Sequence, residues 1–297
     1  MSRTVSPSAQ RPYGVVLVAQ EWAVARSTYY HAVRRLAGRS VARKRGPKTL
    51  YSDAQLTAQV RQVIKTSPFT GEGHRKVWAR LRLQGVRTSK PRVLRLMREA
   101  NLLAPSRAVR VLGPRNHEGT IIAQRPDQMW GTDATSTFTA DDGQVTVFVA
   151  VDHCSDEGVG IHAAKIGTRF EALEPIRQGV RRHFGSFGRG VAAGLKLRHD
   201  HGSQYMSRDF QAEVAFLGIE SSPAFVRAPE GNGMAERFIR TLKEQLLWVR
   251  TFRTVEEVRV ALHEWLDIYN EQWLIGRHGH RPPAQVRRDL LAISRAA

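Results

Sequence analysis

Residues 129–166 read MWGTDATSTFTADDGQVTVFVAVDHCSDEGVGIHAAKI, and this stretch decides the fold class. Three runs within it are rich in apolar and β-branched residues, and turn residues such as Asp141 and Gly143 separate them. That pattern predicts a three-stranded meander, with strands at 129–137, 144–154 and 158–166. Further along, helical patterns at 169–184, 207–217, 233–248 and 254–270 alternate with short strands at 195–200 and 219–225. Strands alternating with helices predict an α/β fold in which helices flank a mixed sheet.

The residues upstream of the meander predict small helical units. Two short helices are expected between residues 14 and 37, the second of them capped by Ser27, which is the outline of a helix-turn-helix. Ordinary amphipathic helices would give the same pattern. A second unit is predicted with helices at 53–66, 72–84 and 89–101. Ser89 is a candidate N-cap for the last of these, and Pro91 fits its first turn.

The charge of the chain is distributed unevenly. Its formal net charge is +19, and residues 1–115 carry 24 Lys and Arg residues but only four Asp and Glu residues. The remaining residues, 116–297, carry 22 and 23. Such asymmetry indicates a polyanion-binding arm attached to a neutral domain, and no lipid-facing apolar stripe accompanies it. Double-stranded DNA is therefore the expected partner, with a basic surface kept for solubility as the alternative.

Cysteine usage and hydropathy bear on the compartment. Cys154 is the only cysteine, so the chain can form neither an intrachain disulfide nor a cysteine-based zinc site, and a reducing compartment fits. The apolar run at 13–19 is too short to span a bilayer. We therefore expect a cytoplasmic protein without a membrane partner.

Three acids stand out by their position. Asp133 lies inside the first predicted strand, Asp200 ends a later strand, and Glu236 opens the helix GNGMAERFIRTLKEQLL at 231–247. Functional groups gather at the carboxyl ends of strands in α/β sheets, and three carboxylates suit two divalent metal ions that carry out phosphoryl transfer. Arg240 and Lys243 share the helical stripe of Glu236 and would face the phosphates. The alternative is a solvated stripe stabilised by an ordinary ion pair.

Other polar residues near these acids have structural interpretations as well as functional ones. His199 and His201 flank Asp200 and could bind a metal, but a polar contact or a turn is the favoured interpretation. Asp152 is expected to be a turn or salt-bridge residue. Asn232 could belong to a flexible loop over the site, and it could equally cap the helix that follows.

The motifs resemble those of a known family. Three of its blocks are WGTDAT at 130–135, HDHGSQYMS at 199–207 and SPAFVRAPEGNGMAERFIRTLKEQ at 222–245, with 35 residues between Asp200 and Glu236. The upstream stretch GEGHRKVWARLRLQGVRTSKPRVLRLMREANLLAP, at 71–105, resembles the helix-turn-helix-like segment that precedes the core in the same family. By these blocks the chain resembles an integrase-type DDE transposase with an RNase H-like core, the OrfB product of bacterial insertion sequences of family three.

The resemblance implies an activity and a site. Asp133, Asp200 and Glu236 would be the catalytic triad, holding two Mg²⁺ or Mn²⁺ ions, and Lys243 would contact DNA beside them. Family members cut DNA at the ends of the element and transfer the strand, without a covalent protein intermediate. The stretch YNEQWLIGRHGHRPPAQ, at 269–285, departs from the usual family form in its middle, which leaves its local contacts open.

The implied partners are the terminal inverted repeats, target DNA, further copies of the chain on DNA, and an OrfA protein from an upstream frame, separate or fused. The expected organisation is a helix-turn-helix remnant and basic linker (1–48), a helical DNA-binding domain (49–110), a linker (111–125) and an integrase catalytic core (126–297). The full set of predicted DNA contacts is Lys243, Arg240, Arg75, Lys76, Arg92 and Arg95. A transposase-derived DNA-binding regulator without catalysis is the alternative function, and an RNase H-type or repair nuclease is a third.

Overall fold

The structure is a computed structural model that describes residues 3–37, 50–105, 123–224 and 232–296. Its contacts divide the chain into two compact units, Met1–Leu50 and Tyr51–Ala297. The predicted linker at 38–48 and most of the linker at 111–125 lie outside the described residues.

The first unit contains two short helices, α1 (Gly14–Glu21) and α2 (Arg26–Leu36). The turn between them includes Ala23 in the left-handed region, with φ of 51°. The predicted cap at Ser27 is wrong, because α2 already begins at Arg26. Ala25 occupies the N-cap position and offers no side-chain hydrogen bond.

The second unit begins with three helices around a small apolar core. Ser52 forms a capping box with Gln55 at the start of the first helix, and Ser89 accepts the backbone N–H of Arg92 at the start of the third. Pro91 lies in the first turn of that third helix, so the predicted cap is confirmed. The helices are α3 (Asp53–Thr66), α4 (His74–Leu83) and α5 (Lys90–Glu99). Their shared core consists of Leu56, Val60, Val63, Val77, Leu81, Val86, Val93, Leu96 and Met97.

A five-stranded sheet follows, in the order β3-β2-β1-β4-β5. The first three strands form the predicted antiparallel meander, and the last two add to it in parallel. The strands are β1 (Met129–Thr139), β2 (Gly143–Asp152), β3 (Gly158–Ala164), β4 (Lys196–His199) and β5 (Glu220–Pro223). The mixed sheet predicted from sequence is confirmed.

Both faces of the sheet are covered by helices, which explains the long apolar run of β2. Its side chains alternate between the faces. Val145, Val147, Val149 and Val151 join a core with α9 (Gly233–Leu242) and α10 (Val255–Gln272). Phe148 and Ala150 join a second core with α6 (Arg169–Phe184) and α8 (Arg208–Phe216). A one-turn helix, α7 (Ser203–Met206), precedes α8.

The α6 face requires a close approach between strand and helix. A Cβ at Gly160 would lie 2.0 Å from the Pro175 carbonyl oxygen, so only glycine fits in β3 at that point. The helix itself begins at the N-cap Thr168 and ends at Gly185, whose φ of 75° suits a glycine. These two signals give α6 the bounds that the sequence predicts.

The C-terminal part differs from the prediction in two ways. The helix of Glu236 does not continue regularly, because a π-helical turn occupies Lys243–Leu247. The predicted last helix at 254–270 is also not the last, because α11 (Pro283–Ala296) follows a short 3₁₀ turn at Gly276–His278. Within the described part of the chain, no helix is long and apolar enough to cross a membrane.

Candidate active site

The fold brings Asp133, Asp200 and Glu236 to one region on the α9 face of the sheet. Gly131 of β1 is the register partner of Arg198 of β4. Asp133 and Asp200 each stand two residues further along, Asp200 just past the end of β4. Asp133 pairs with Val149, whose side chain lies in the core under α9. Glu236 lies in the first turn of α9, which packs over β1 and β2. Three separate sequence blocks thus converge.

Backbone groups hold two of the carboxylates. Asp133 Oδ1 accepts the N–H of Ala134 at 2.8 Å, and Asp200 Oδ1 accepts the N–H of Gly202 at 2.8 Å. Asp133 is half-buried, whereas Asp200 and Glu236 are exposed. The site is therefore open to solvent above a partly enclosed Asp133.

Burial and the neighbouring charges raise the pKa of Asp133. Burial raises the pKa of this carboxyl to about 6, the Ala134 N–H opposes that rise, and the charges of Asp200 and Glu236 add to it. Lys243 lowers the pKa by its positive charge. Asp133 thus lies within electrostatic range of the two other acids and of the lysine.

The acids interact without forming a coordination shell. Within the described ranges, no three His, Cys, Asp or Glu side chains are close enough together to hold a metal ion. Their oxygen atoms are nevertheless of the kind that Mg²⁺ and Mn²⁺ prefer.

The cationic residues of α9 and of the π-helical turn that follows it differ in their surroundings. Lys243 is half-buried at the start of the π-helical turn, where its charge reaches Asp133. Arg240 is exposed and pairs with Glu244 at 2.9 Å. Lys243 is thus the cation nearer to the acids, and Arg240 lies toward the surface.

The neighbours of the acids have structural roles. His199 is fully buried, its Nδ1 lies 2.6 Å from the Asp200 carbonyl oxygen, and its Nε2 lies 2.9 Å from Ser221 Oγ. Both ring nitrogens therefore make polar contacts. Asp152 is fully buried and accepts hydrogen bonds from the backbone N–H groups of Asp127, Cys154 and Ser155, which agrees with its interpretation as a turn residue.

Asn232 fits neither of its two predicted roles. It occupies the N-cap position of α9, but its side chain makes no capping hydrogen bond. Its Nδ2 instead donates to the Thr132 carbonyl oxygen at 3.0 Å, and the side chain is buried. Asn232 therefore ties the start of α9 to β1. The neighbouring Gly231 lies outside the described residues.

Comparisons with known proteins agree with this architecture. An integrase core domain family model matches residues 217–283, and an HTH-like domain model matches residues 52–110. Transposase InsD for insertion element IS2A/D/F/H/I/K, from Escherichia coli, is 28% identical over 285 residues, which cover 94% of this chain and 92% of that protein. Over nearly its whole length the chain is therefore similar to a transposase of an insertion element.

Another relative of the chain is longer. The insertion element IS2A uncharacterized 48.2 kDa protein of Escherichia coli is 28% identical over 290 residues, and the match covers 95% of this chain but 66% of that protein. Among solved structures, a simian T-cell lymphotropic virus intasome aligns with a TM-score of 0.46 at 20% identity, over 80% of this chain and 74% of that one. The HTLV-2 integrase catalytic core domain in complex with magnesium aligns with a TM-score of 0.41 at 18% identity, over 55% and 98%.

The α3–α5 unit of the protein packs directly on the core beside α9. Thr70 N–H donates to Gln245 Oε1 at 2.9 Å, and Gln245 Nε2 donates back to the Thr70 carbonyl oxygen at 3.0 Å. Phe69 meets Trp273 edge to face, with ring centroids 4.8 Å apart. Arg80 adds a hydrogen bond to the Gln272 carbonyl oxygen. Gln245 belongs to the π-helical turn that follows α9, so one continuous segment carries both Glu236 and the docking contact.

The predicted DNA contacts in the α3–α5 unit are largely engaged within the protein. Lys76 Nζ lies 2.7 Å from the centre of the Trp273 ring, as a cation–π contact. Arg92 binds Asp53 and the Tyr51 carbonyl oxygen. Arg95 pairs with Asp53 and Glu99, whereas Arg75 is exposed. These assignments stay predictions, and Arg75 is the best placed of them for DNA.

Sequence reasoning missed several residues that organise this site. Gln245 and Trp273 join the helical unit to the core, and His153 and Arg198 lie beneath the acids. Nothing in a single sequence links Gln245 with Thr70, because 175 residues separate them. Arg198 could have been noticed, because it stands two residues before Asp200 in a strand.

Proposed function

We propose that this transposase cuts DNA at the ends of its insertion sequence and transfers the exposed 3′ ends to target DNA by phosphoryl transfer. Asp133, Asp200 and Glu236 are the catalytic acids of this proposal, and together they hold two Mg²⁺ or Mn²⁺ ions. One observation carries it: Asp133, Asp200 and Glu236 come from distant sequence blocks and lie near one another on the α9 face of the sheet, in a chain similar to a transposase over nearly its whole length.

The residues fit divalent metal ions by their chemistry. Burial is the main cause of the raised pKa of Asp133, and the negative charges of Asp200 and Glu236 add to it, so ionised Asp133 is unfavourable without a nearby cation. A cation offsets that repulsion and would draw the carboxylates together. When bound, such ions activate the attacking oxygen and stabilise the leaving one.

The chain's own groups would orient the DNA around this centre. The Ala134 N–H holds Asp133 Oδ1, and the Gly202 N–H holds Asp200 Oδ1, so each side chain is fixed at one oxygen. Lys243, whose charge already reaches Asp133, would bind the phosphate next to the reacting bond. Arg240 would contact the backbone further out, in exchange for its exposed pair with Glu244.

The proposal extends to partners. The terminal inverted repeats and target DNA are the proposed nucleic acids, and the positive charge of residues 1–115 supports binding to their backbones. Joining both ends of one element requires two reacting sites, so we propose a homo-oligomer on DNA in the bacterial cytoplasm, at the nucleoid. The 48.2 kDa relative, longer than this 33.4 kDa chain, supports an upstream OrfA segment as a partner or a fusion.

The decisive experiment compares Asp133→Asn with Asp267→Asn. Both changes remove one negative charge, but Asp267 is an exposed residue on α10. The DNA is a duplex that carries the inverted repeat found beside the gene, incubated with Mg²⁺ and a supercoiled target plasmid. We expect both variants to bind the duplex like the unmodified protein, and only Asp133→Asn to lose cleavage and joining, by at least about 100-fold.

Two results would contradict the proposal. Cleavage retained by Asp133→Asn would show that this acid is not part of the reacting site. Sequence-specific binding without any cleavage by the unmodified chain, in Mg²⁺ or in Mn²⁺, would favour the DNA-binding regulator instead.

A further inference from the structure

A polar cluster lies directly behind the three acids, on the same face of the sheet. Gly131 stands two residues before Asp133, and Arg198 stands two residues before Asp200. Side chains repeat every two residues along a strand and register partners share a face, so Gly131 and Arg198 lie on the same face of the sheet as Asp133. Asn232 stands one helical turn before Glu236. Each acid therefore follows one of these residues closely in sequence. Asp133 and Asp200 come two residues after Gly131 and Arg198, and Glu236 comes one helical turn after Asn232.

The cluster contains buried polar atoms that converge on Gly131. A Cβ at Gly131 would lie 2.6 Å from His153 Nε2 and 2.9 Å from Asn232 Oδ1. Both side chains are more than nine-tenths buried, and so is Arg198, the register partner of Gly131. Among the residues that the structure describes, none forms a hydrogen bond with His153 Nε2, Asn232 Oδ1 or Arg198 Nε.

Buried polar atoms without hydrogen-bond partners lower the stability of the folded protein. A buried polar atom without a partner loses its hydration and gains nothing in exchange, so native proteins keep few of them. The side-chain carbonyl oxygen of Asn232 can accept a hydrogen bond, and Nε2 of His153 can donate one. The two atoms lie on either side of Gly131, which has no side chain. Any larger residue at position 131 would push them apart.

Both members of the pair are anchored on their far sides. Asn232 Nδ2 donates to the Thr132 carbonyl oxygen at 3.0 Å. His153 is held through its backbone, because Arg277 donates to its carbonyl oxygen at 2.9 Å and also binds Asp156. Arg277 lies in the stretch at 269–285 that departs from the family pattern. The pair therefore connects the start of α9 with β1 and with the segment between α10 and α11.

We propose that Asn232 and His153 are positioning residues, which lock the first turn of α9 onto β1 and so set Glu236 over Asp133. The structure places the two atoms on either side of Gly131 without a hydrogen bond between them; in the proposed contact, the neutral imidazole would donate from Nε2 to Asn232 Oδ1, while Asn232 Nδ2 keeps its bond to the Thr132 carbonyl oxygen. Gly131 provides the space in which the two side chains meet. This inference rests on the proposed function, because it concerns the alignment of the proposed catalytic acids.

The alignment has a large kinetic consequence. A displacement of about 1 Å at a reacting site lowers a rate by about 100-fold, while binding contacts made elsewhere are unaffected. Loss of the contact between His153 and Asn232 should therefore lower the rate of strand joining at saturating DNA and leave the dissociation constant for the duplex unchanged. It should also raise the Mg²⁺ concentration needed to assemble the acids.

The test uses the full chain and three designed changes. His153→Leu removes the donor, whereas His153→Gln retains a donor at the position of Nε2. Gly131→Ala removes no polar group but forces the pair apart. We expect His153→Leu and Gly131→Ala to reduce single-turnover strand joining by about 10- to 100-fold, and His153→Gln to restore the rate to within about threefold of the unmodified protein.

A second readout does not depend on catalysis. Mg²⁺ is titrated into each protein alone, and its stabilisation is followed by thermal melting. We expect the half-point of the Mg²⁺ effect to move to higher concentration in His153→Leu and Gly131→Ala, and to stay near the original value in His153→Gln. Melting temperatures without Mg²⁺ should differ little among the three variants.

The outcomes separate this inference from the proposed function. If Asp133→Asn abolishes joining while His153→Leu and Gly131→Ala join at the original rate, the lock is refuted and the catalytic acids stand. If rate and melting temperature without Mg²⁺ fall in parallel in all three variants, His153→Gln included, the cluster only supports folding and the inference is wrong. If Asp133→Asn keeps full activity, the proposed function itself fails.

Discussion

Asp133→Asn should make the metal-free transposase more stable, because ionised Asp133 is held in unfavourable surroundings. Its pKa rises from an ordinary value of 3.8 to about 6, mainly through burial. A folded-state pKa above the unfolded one means that stability is fully present below about pH 4 and is lost as the pH rises through about 6. At about 1.4 kcal/mol per pH unit, the shift corresponds to at most about 3 kcal/mol. Water screens part of this half-buried side chain, so we expect a gain of about 1–2 kcal/mol at pH 7.5.

The assay is urea or thermal unfolding in EDTA, at pH 7.5 and near pH 4. A gain of about 1–2 kcal/mol corresponds to a melting temperature higher by roughly 2–8 °C in a unit of this size. The gain should be largest above pH 6 and should shrink toward zero near pH 4, where both states carry the proton. Asp267→Asn, which removes an exposed charge, controls for the change in net charge.

Mg²⁺ should reverse the order of the two proteins. Bound metal stabilises the unmodified chain, which has all three acids, more than the variant, which has two. The reasoning about Asp133 would be refuted by a variant less stable than the parent in EDTA at pH 7.5, or by a gain that does not depend on pH.

Three further predictions concern the cations and the helical units. Lys243→Ala should weaken binding of pre-cut DNA ends and lower the salt dependence of that binding by about one phosphate contact. Substitution of the exposed Arg240 by alanine should change the affinity and its salt dependence less. Equal effects of the two variants in filter binding would count against a special role for Lys243. Gln245→Ala should loosen the α3–α5 unit, seen as faster amide hydrogen exchange at Thr70 without loss of the core, and unchanged exchange there would show that the paired hydrogen bonds contribute little. Removal of residues 1–50, with ten Lys and Arg residues and one Glu, should lower the slope of log affinity against log salt, and an equal slope would place DNA binding elsewhere.

Local signals explain how much of the fold was predictable. The predicted bounds of α6 agree with the structure, where Thr168 caps one end and Gly185 ends the other, and both act on neighbouring residues. Ser89 and Pro91 marked the start of α5 in the same way. The acids were found because chemistry and strand position coincide in Asp133 and Asp200. Whether they bind metal remains a prediction.

The missed features depend on distant contacts. The π-helical turn after Leu242 is not visible in an apolar periodicity, and its Gln245 faces Thr70, far away in sequence. The basic residue Lys76 looked like a DNA contact, because nothing near it in sequence reveals that Trp273 covers its ammonium group. Ser27 resembled a cap, yet α2 begins one residue earlier. A residue type in one sequence shows what it can bind, and the fold decides which partner it meets.

The single cysteine of this chain has a practical consequence. Cys154 is buried in the turn after β2, its backbone N–H is bound by Asp152, and burial raises the pKa of its thiol to about 11. Thiolate is the reactive form, so this group is inert toward maleimides at neutral pH. A cysteine introduced at the exposed Arg237 on α9 would be the one reactive thiol in the protein. A dye attached there could follow the movement of α9 in real time, with the native sequence otherwise intact.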